Sequence, residues 1–139
     1  MLKRRHTLLA VLAVASALAV PATGTAASNP GASVSLSSSA DWISPAQIVV
    51  YVTASCAPYF DGTTNGTGFV SVNVNQATSS STPGGTGFSF TTFTCDGQNH
   101  RIALNVSPGP WQLGDALASA QACGFTCDTT IKQIKITKA

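Results

Sequence analysis

The chain has 139 residues, with seven Lys or Arg against five Asp and no Glu, a net charge of +2, and only 9% of its residues are charged. One domain fits in that length once a leader is set aside, and a second does not. No basic stripe runs along any segment, which excludes a nucleic acid as partner.

Lys3, Arg4 and Arg5 precede an apolar run from Leu8 to Val20 that is interrupted only by small residues such as Ser16. This is the layout of a cleavable signal peptide. The run is about 13 residues where a bilayer span takes about 20, and polar Pro21-Ala22-Thr23-Gly24 follows, so a permanent anchor is the poorer reading. Thr25-Ala26-Ala27 offers the small residues that signal peptidase requires before its cut. The expected division is a signal peptide over 1–27 and a single secreted domain over 28–139. Arg4-Arg5 with Leu8 and Leu9 also fits the core of a twin-arginine signal, so both export routes stay open. Loss of Lys3, Arg4 and Arg5 leaves four basic residues against five acidic ones, a net charge of −1. The basicity of the full chain, pI about 8.4, thus belongs largely to the leader. The first cysteine, Cys56, is far from the cut, which excludes a lipoprotein, and Ile134 to Ala139 form no apolar sorting tail. A secreted, extracellular product without a membrane contact in its mature form is the expectation.

Beyond the leader, apolar residues recur with period two, and Ser, Thr, Val and Gly dominate, which predicts strands. Ser33 to Ser38 is a weak strand carrying Val34 and Leu36. In Gln47 to Cys56, Ile48, Val50, Val52, Ala54 and Cys56 share one face, and Val49 and Tyr51 make the other partly apolar, which suits the centre of a sheet. Phe69 to Gln76 turns Val70, Val72 and Val74 inward. In Thr86 to Cys95 the phase slips, with Phe88 and Phe90 on even positions and Phe93 and Cys95 on odd ones, which predicts a β-bulge between them. Ile102, Leu104 and Val106 mark the next strand. Asp115 to Ala122, rich in alanine, reads as a strand or as a short helix begun at Gly114-Asp115, the strand being preferred. Ile131 to Thr137 is the last strand. Ser44-Pro45, Asp61 to Gly66, Ser79 to Gly85, Asp96-Gly97 and Pro108-Gly109-Pro110 supply the turns. Seven short strands so spaced predict an all-β fold, an immunoglobulin-like or Greek-key β-sandwich.

Four cysteines in a small exported domain form two disulfides, for which three pairings exist. Cys56 with Cys95 and Cys123 with Cys127 is the favoured set. The first closes a 39-residue loop, worth roughly 4 kcal/mol on chain entropy, and the second a tight loop worth about 2 kcal/mol. Zinc and redox readings fail on spacing, so no metal and no cofactor are expected.

Catalytic patterns are missing as well. The five Asp residues sit near turns, where Asp is common for capping reasons. His100 has no Gly-x-Ser-x-Gly elbow to serve, so no enzyme is expected. The Gly-rich segments 65–68 and 84–87 lack the Lys-Ser/Thr ending of a phosphate loop. Recognition by aromatic loop residues remains, with Tyr59, Phe60, Trp111 and Phe125 as the candidate binding residues. Against this stands the reading in which Trp42 and Trp111 plug the two open ends of the sandwich.

The stretch from Ile48 to Thr137 resembles a group of small secreted proteins of high-G+C Gram-positive bacteria whose function is not established. The likeness rests on the strand ending at Cys56, the Val70 to Gln76 strand, Cys95-Asp96-Gly97 followed by His100, and Gly114-x-Ala116-x-Ala118-x-Ala120. It implies an immunoglobulin-like sandwich and carries no activity with it; the Cys123 and Cys127 pair is less usual there. A looser similarity is to antibiotic-carrying apoproteins of the neocarzinostatin type. The function expected is a secreted, monomeric, non-catalytic binding or envelope-associated module for an extracellular glycan, protein or small molecule. A small-molecule carrier and a secreted protease inhibitor are the alternatives.

Overall fold

The structure is a computed structural model and describes residues 31–61, 64–77 and 84–139. The expected signal peptide, the expected start of the mature chain and most of the Ser79 to Gly85 tract lie outside the described residues.

Seven strands build the domain: β1 (Ala32–Ser44), β2 (Gln47–Cys56), β5 (Thr67–Asn75), β6 (Thr86–Thr94), β7 (His100–Gly109), β8 (Gly114–Cys123) and β9 (Cys127–Lys138). A two-residue pair, β3 (Phe60–Asp61) and β4 (Thr64–Asn65), stands apart from them. The seven close into a barrel in the order β1-β2-β7-β6-β5-β8-β9. Closure is uneven. Between β6 and β7 it rests on Thr86 to Phe88 against Ser107 to Gly109 alone. Between β1 and β9 it is a short parallel ladder, Ser39 to Trp42 against Lys135 to Lys138.

Alternation explains the strands. Val34 and Leu36, the even residues of β2 and β5, and Ala116, Ala118, Ala120 and Ala122 of β8 all turn into one core. β2 is central as expected, paired with β1 on one edge and β7 on the other. The Asp115 to Ala122 segment is a strand, paired on both edges by β5 and β9, and its alanine methyls let β1 and β2 approach across the interior. A helix there would leave both neighbours with unpaired backbone groups.

The bulge expected in Thr86 to Cys95 is absent. The β5–β6 ladder runs without a register shift from Thr67↔Thr94 to Asn75↔Thr86, so Phe88 and Phe90 point out of the barrel while Phe93 and Cys95 point in. The register does shift in β1, between Leu36 and Ala40, where β9 begins to pair with its other edge at Ser39. Ahead of that pairing, side chains of β9 reach the same strand instead: Asp128 Oδ2 accepts from Val34 N–H (2.9 Å) and Lys132 Nζ donates to the Leu36 carbonyl (3.1 Å). The last strand before the Pro108-Gly109-Pro110 turn also runs further than expected, through Gly109.

Trp42 and Trp111 close the same end rather than opposite ends. Trp42 Nε1 donates to the Trp111 carbonyl (3.3 Å), and Trp111, 2% exposed, donates its own Nε1–H to the Val106 carbonyl (3.1 Å). Pairing brings the end of β1 and the loop after β7 together, because Ile48 at the start of β2 lies opposite both Trp42 and Val106. The other end is closed by the Cys56–Cys95 disulfide with Phe93. Both favoured disulfides are present, Cys56–Cys95 and Cys123–Cys127. Gly68 sits under the first: a Cβ there would lie 2.8 Å from Cys56 Sγ and 2.9 Å from Phe93 Cζ.

Two stability predictions follow from this end of the barrel. Replacing Cys56 and Cys95 together by Ala is expected to cost about 2–5 kcal/mol in urea unfolding, and the same change at Cys123 and Cys127 roughly 2 kcal/mol or less. Gly68→Ala forces the sulfurs or the Phe93 ring to move and is expected to cost about 1–3 kcal/mol, read as a lower urea midpoint at unchanged slope.

Candidate functional site

The four residues expected to bind fall in different surroundings. Trp111 is in the core, held by packing and its hydrogen bond, and offers no ring face to a ligand. Its position between two prolines and β8 suggested a loop, and the loop folds inward. Phe60 contributes backbone to the β3–β4 pair opposite Asn65, and its side chain lies outside the described part. Tyr59 and Phe125 do come together, edge to face with ring centroids 4.7 Å apart. Tyr59 is pinned by its hydroxyl donating to the Thr67 carbonyl (2.7 Å) and by Gly66, where any Cβ would overlap the Tyr59 ring. Phe125 is carried by the turn that the Cys123–Cys127 disulfide closes. It remains 78% exposed. Gly124 tucks against Cys56, which seats this turn over the disulfide end of the barrel.

A second surface was not expected from the sequence. The outer face of the β6-β5-β8-β9 sheet can be read off the register in cross-strand rows. Thr86, Asn75, Leu117 and Gln133 form one row, followed by Phe88, Asn73, Ser119 and Ile131. Next come Phe90, Ser71, Gln121 and Thr129, and then Thr92, Phe69, Cys123 and Cys127. None of the side chains in these four rows is charged; charge begins in the next row, where Asp115 stands opposite Lys135. Phe90 is 60% exposed, and its ring lies 5.5 Å from that of Phe69 and 5.7 Å from that of Phe88. Leu117 and Ile131 are exposed on the same face. Beside the Asn75 row lies an open depression of about 400 Å³ lined by Asn75, Gln76, Ala77, Asp115, Ala116, Leu117 and Gln133. Gln76 is fixed there by reciprocal bonds with Gln112, donating to its carbonyl (2.9 Å) and accepting its N–H (3.0 Å). The signal that would have revealed this face is the phase slip in β6, read as two opposite faces of an unbroken strand.

Polar groups elsewhere form local pairs. Tyr51 O–H donates to Asp41 (2.8 Å), and the Arg101 guanidinium lies 4.7 Å over the Tyr51 ring. The bond to Asp41 and its negative charge hold the Tyr51 phenol above its ordinary value. His100 Nε2 and Asp96 Oδ1 are 2.8 Å apart, and the same carboxylate oxygen accepts the Gln98 N–H (2.9 Å). These bonds, that from His100 first, hold the Asp96 carboxyl below its ordinary value. Both groups are part of the turn between β6 and β7. The geometry assigns them to fixing that turn. Among the described residues no three His, Cys, Asp or Glu side chains gather at metal-binding distance.

A carboxyl held low in the folded state stabilises it above the carboxyl's unfolded value and loses that effect as pH falls through the lowered one. The stability difference between the wild type and Asp96→Asn is therefore expected to shrink as pH falls below about 3.8, in urea titrations at stepped pH. A difference that grows with acid would contradict the assignment.

Comparison of the sequence with protein-family models and with curated proteins finds no match.

Proposed function

We propose that the protein is an exported, non-catalytic binding module that engages an uncharged extracellular ligand through the outer face of the β6-β5-β8-β9 sheet. The observation that carries this reading is a continuous uncharged sheet face holding Phe69, Phe88 and Phe90, on rigid strands rather than on loops. Three exposed phenylalanines give no benefit to an isolated domain, since burying them would stabilise it. Among extracellular ligands a neutral glycan fits best. Phenyl rings take the C–H faces of a sugar, while Asn73, Asn75 and Gln121 alongside them supply donors and acceptors for its hydroxyls. An ionic ligand would find charge only at the margin of the face, where Asp115 stands opposite Lys135.

Export is supported by the leader pattern and by two disulfides in a small domain, which suit an oxidising compartment. We read the barrel as a flattened immunoglobulin-like sandwich, β1-β2-β7 facing β6-β5-β8-β9, because its closures are short and β1 changes layers. The resemblance to secreted proteins of high-G+C Gram-positive bacteria agrees with both points. Tyr59 and Phe125 lie beyond the Thr67 end of β5 and extend the aromatic surface.

The alternatives draw less support. A carrier calls for an apolar cleft between the layers, whereas the interior is filled by core side chains and the depression lies on the outer face. An inhibitor presents an extended segment to a protease, whereas the Cys123–Cys127 turn is closed by its disulfide and by Gly124 N–H donating to the Thr126 carbonyl (2.9 Å).

The test is retention of the mature protein on insoluble neutral polysaccharides and on peptidoglycan, beside the Phe88→Ser/Phe90→Ser double variant. Retention by at least one neutral polysaccharide is expected, weakened about tenfold or more in the variant at unchanged thermal stability. Retention that survives both substitutions, or appears only on charged matrices, overturns the reading.

A further inference from the structure

The edge of the same sheet carries a separate message, written in its backbone. Cys95 N–H donates to the Gly66 carbonyl (2.8 Å) and Gln76 N–H to the Gly85 carbonyl (2.7 Å), at the two ends of the β5–β6 ladder. Hydrogen-bonded pairs alternate with non-bonded pairs along an antiparallel ladder. Both end bonds belong to one alternating series, which includes Gly68↔Phe93, Val70↔Thr91, Val72↔Ser89 and Val74↔Gly87. The odd residues of β6 therefore turn their N–H and C=O groups toward β5. The even residues turn theirs away.

Strand β7 takes up only the first of these, through Thr86↔Gly109 and Phe88↔Ser107. That leaves the backbone groups of Phe90, Thr92 and Thr94 facing away from β5, with no ladder partner among the described residues. Proteins ordinarily blunt such an edge with charge, proline or a bulge. Thr86 to Thr94 contains no charged residue and no proline, and its ladder has no register shift.

We propose that this edge pairs with the β6 edge of a second copy of the chain, antiparallel, about a two-fold axis at Thr92. The free set is symmetric about Thr92, so the edge is its own complement. Thr92 of one copy stands opposite Thr92 of the other, and Phe90 opposite Thr94 on each side. Each of these pairs exchanges two backbone hydrogen bonds. All three side chains lie on the outer face, so the join brings no charge against charge and makes the two aromatic faces one surface. The chain leaves the edge in time to avoid a collision. After Cys95 it turns at Asp96 and Gly97, whose N–H donates to the Cys56 carbonyl (2.9 Å). Pairing thus stops before the neighbour's Phe88, which β7 already occupies.

The join is small. Phe90, 60% exposed, brings on the order of 100 Å² from each copy. The contact falls below the roughly 1,200 Å² of a standard interface, so the dimer is weak, with a Kd above about 1 µM. The monomer expected from the sequence is then the dilute form.

Sedimentation of the mature protein between about 10 µM and 1 mM, without any glycan, tests this. A concentration-dependent dimer is expected. Thr92→Pro deletes an N–H that faces away from β5, so the fold is retained by circular dichroism and the dimer is lost. Thr92→Lys keeps that N–H, sets two like charges opposite each other, and is expected to raise Kd at least tenfold, which covers the case of a proline variant that fails to fold. A strict monomer at 1 mM overturns the proposal. So does a dimer that a folded Thr92→Pro or Thr92→Lys variant leaves intact, or one that Phe88→Ser alone abolishes, which would mark face-to-face packing instead. None of these outcomes depends on whether a glycan binds.

Discussion

The fold depends on how little its interior holds. Inward positions are filled by valine, alanine, isoleucine, two leucines and cysteine, with Phe93 and Trp111 kept to the ends, so opposite walls of the barrel must lie close for these side chains to meet. Close walls fix the rest. Alanines on β8 make room for β1 and β2. Glycine is required where a sulfur or an indole sits against backbone, as at Gly68 and at Gly87, where a Cβ would lie 2.7 Å from Trp111 Cζ2. A thin core of this kind yields little per residue, and the disulfide across one end contributes what a larger core would otherwise supply.

Apolar side chains at the odd positions of β5, β8 and β9 and at the even positions of β6 point outward instead. Phe69, Phe88, Phe90, Leu117 and Ile131 all fall on the outer face of one sheet. The outer side of β2 and β7 is different in kind, with Tyr51, Asp41 and Arg101 joined into a polar cluster. The two sides of the domain therefore face water with different chemistry. Only the four-stranded side has the extended uncharged surface that recognition of a neutral ligand calls for.

Much of this was legible in the sequence. Period-two alternation located all seven strands, and Cys56 and Cys95 revealed their partnership by each standing at a strand end. The errors share one cause. Hydrophobicity says that a side chain avoids water but not whether the core or a partner will shelter it, so placing Phe88 and Phe90 on one face with Phe93 and Cys95 calls for a bulge that the strand does not have. Trp111 is the opposite case: its loop position after Pro108 and Pro110 leaves both a binding ring and a plug at one end open, and the ring is buried. Which end each tryptophan closes depends on register between β1, β2 and β7, a long-range property that local pattern does not contain.

The pairing of β1 with β9 bears on the order in which the domain is completed. Ala40 lies beside Ile136, and Leu36 is reached by Lys132, so the first strand of the domain waits for the last before its second edge is covered. A chain delivered from its N-terminus holds β1 half-partnered until β9 has emerged, and contacts of such long sequence separation form slowly. Until then the fold is open along its whole length, which makes the final dozen residues the latch of the domain.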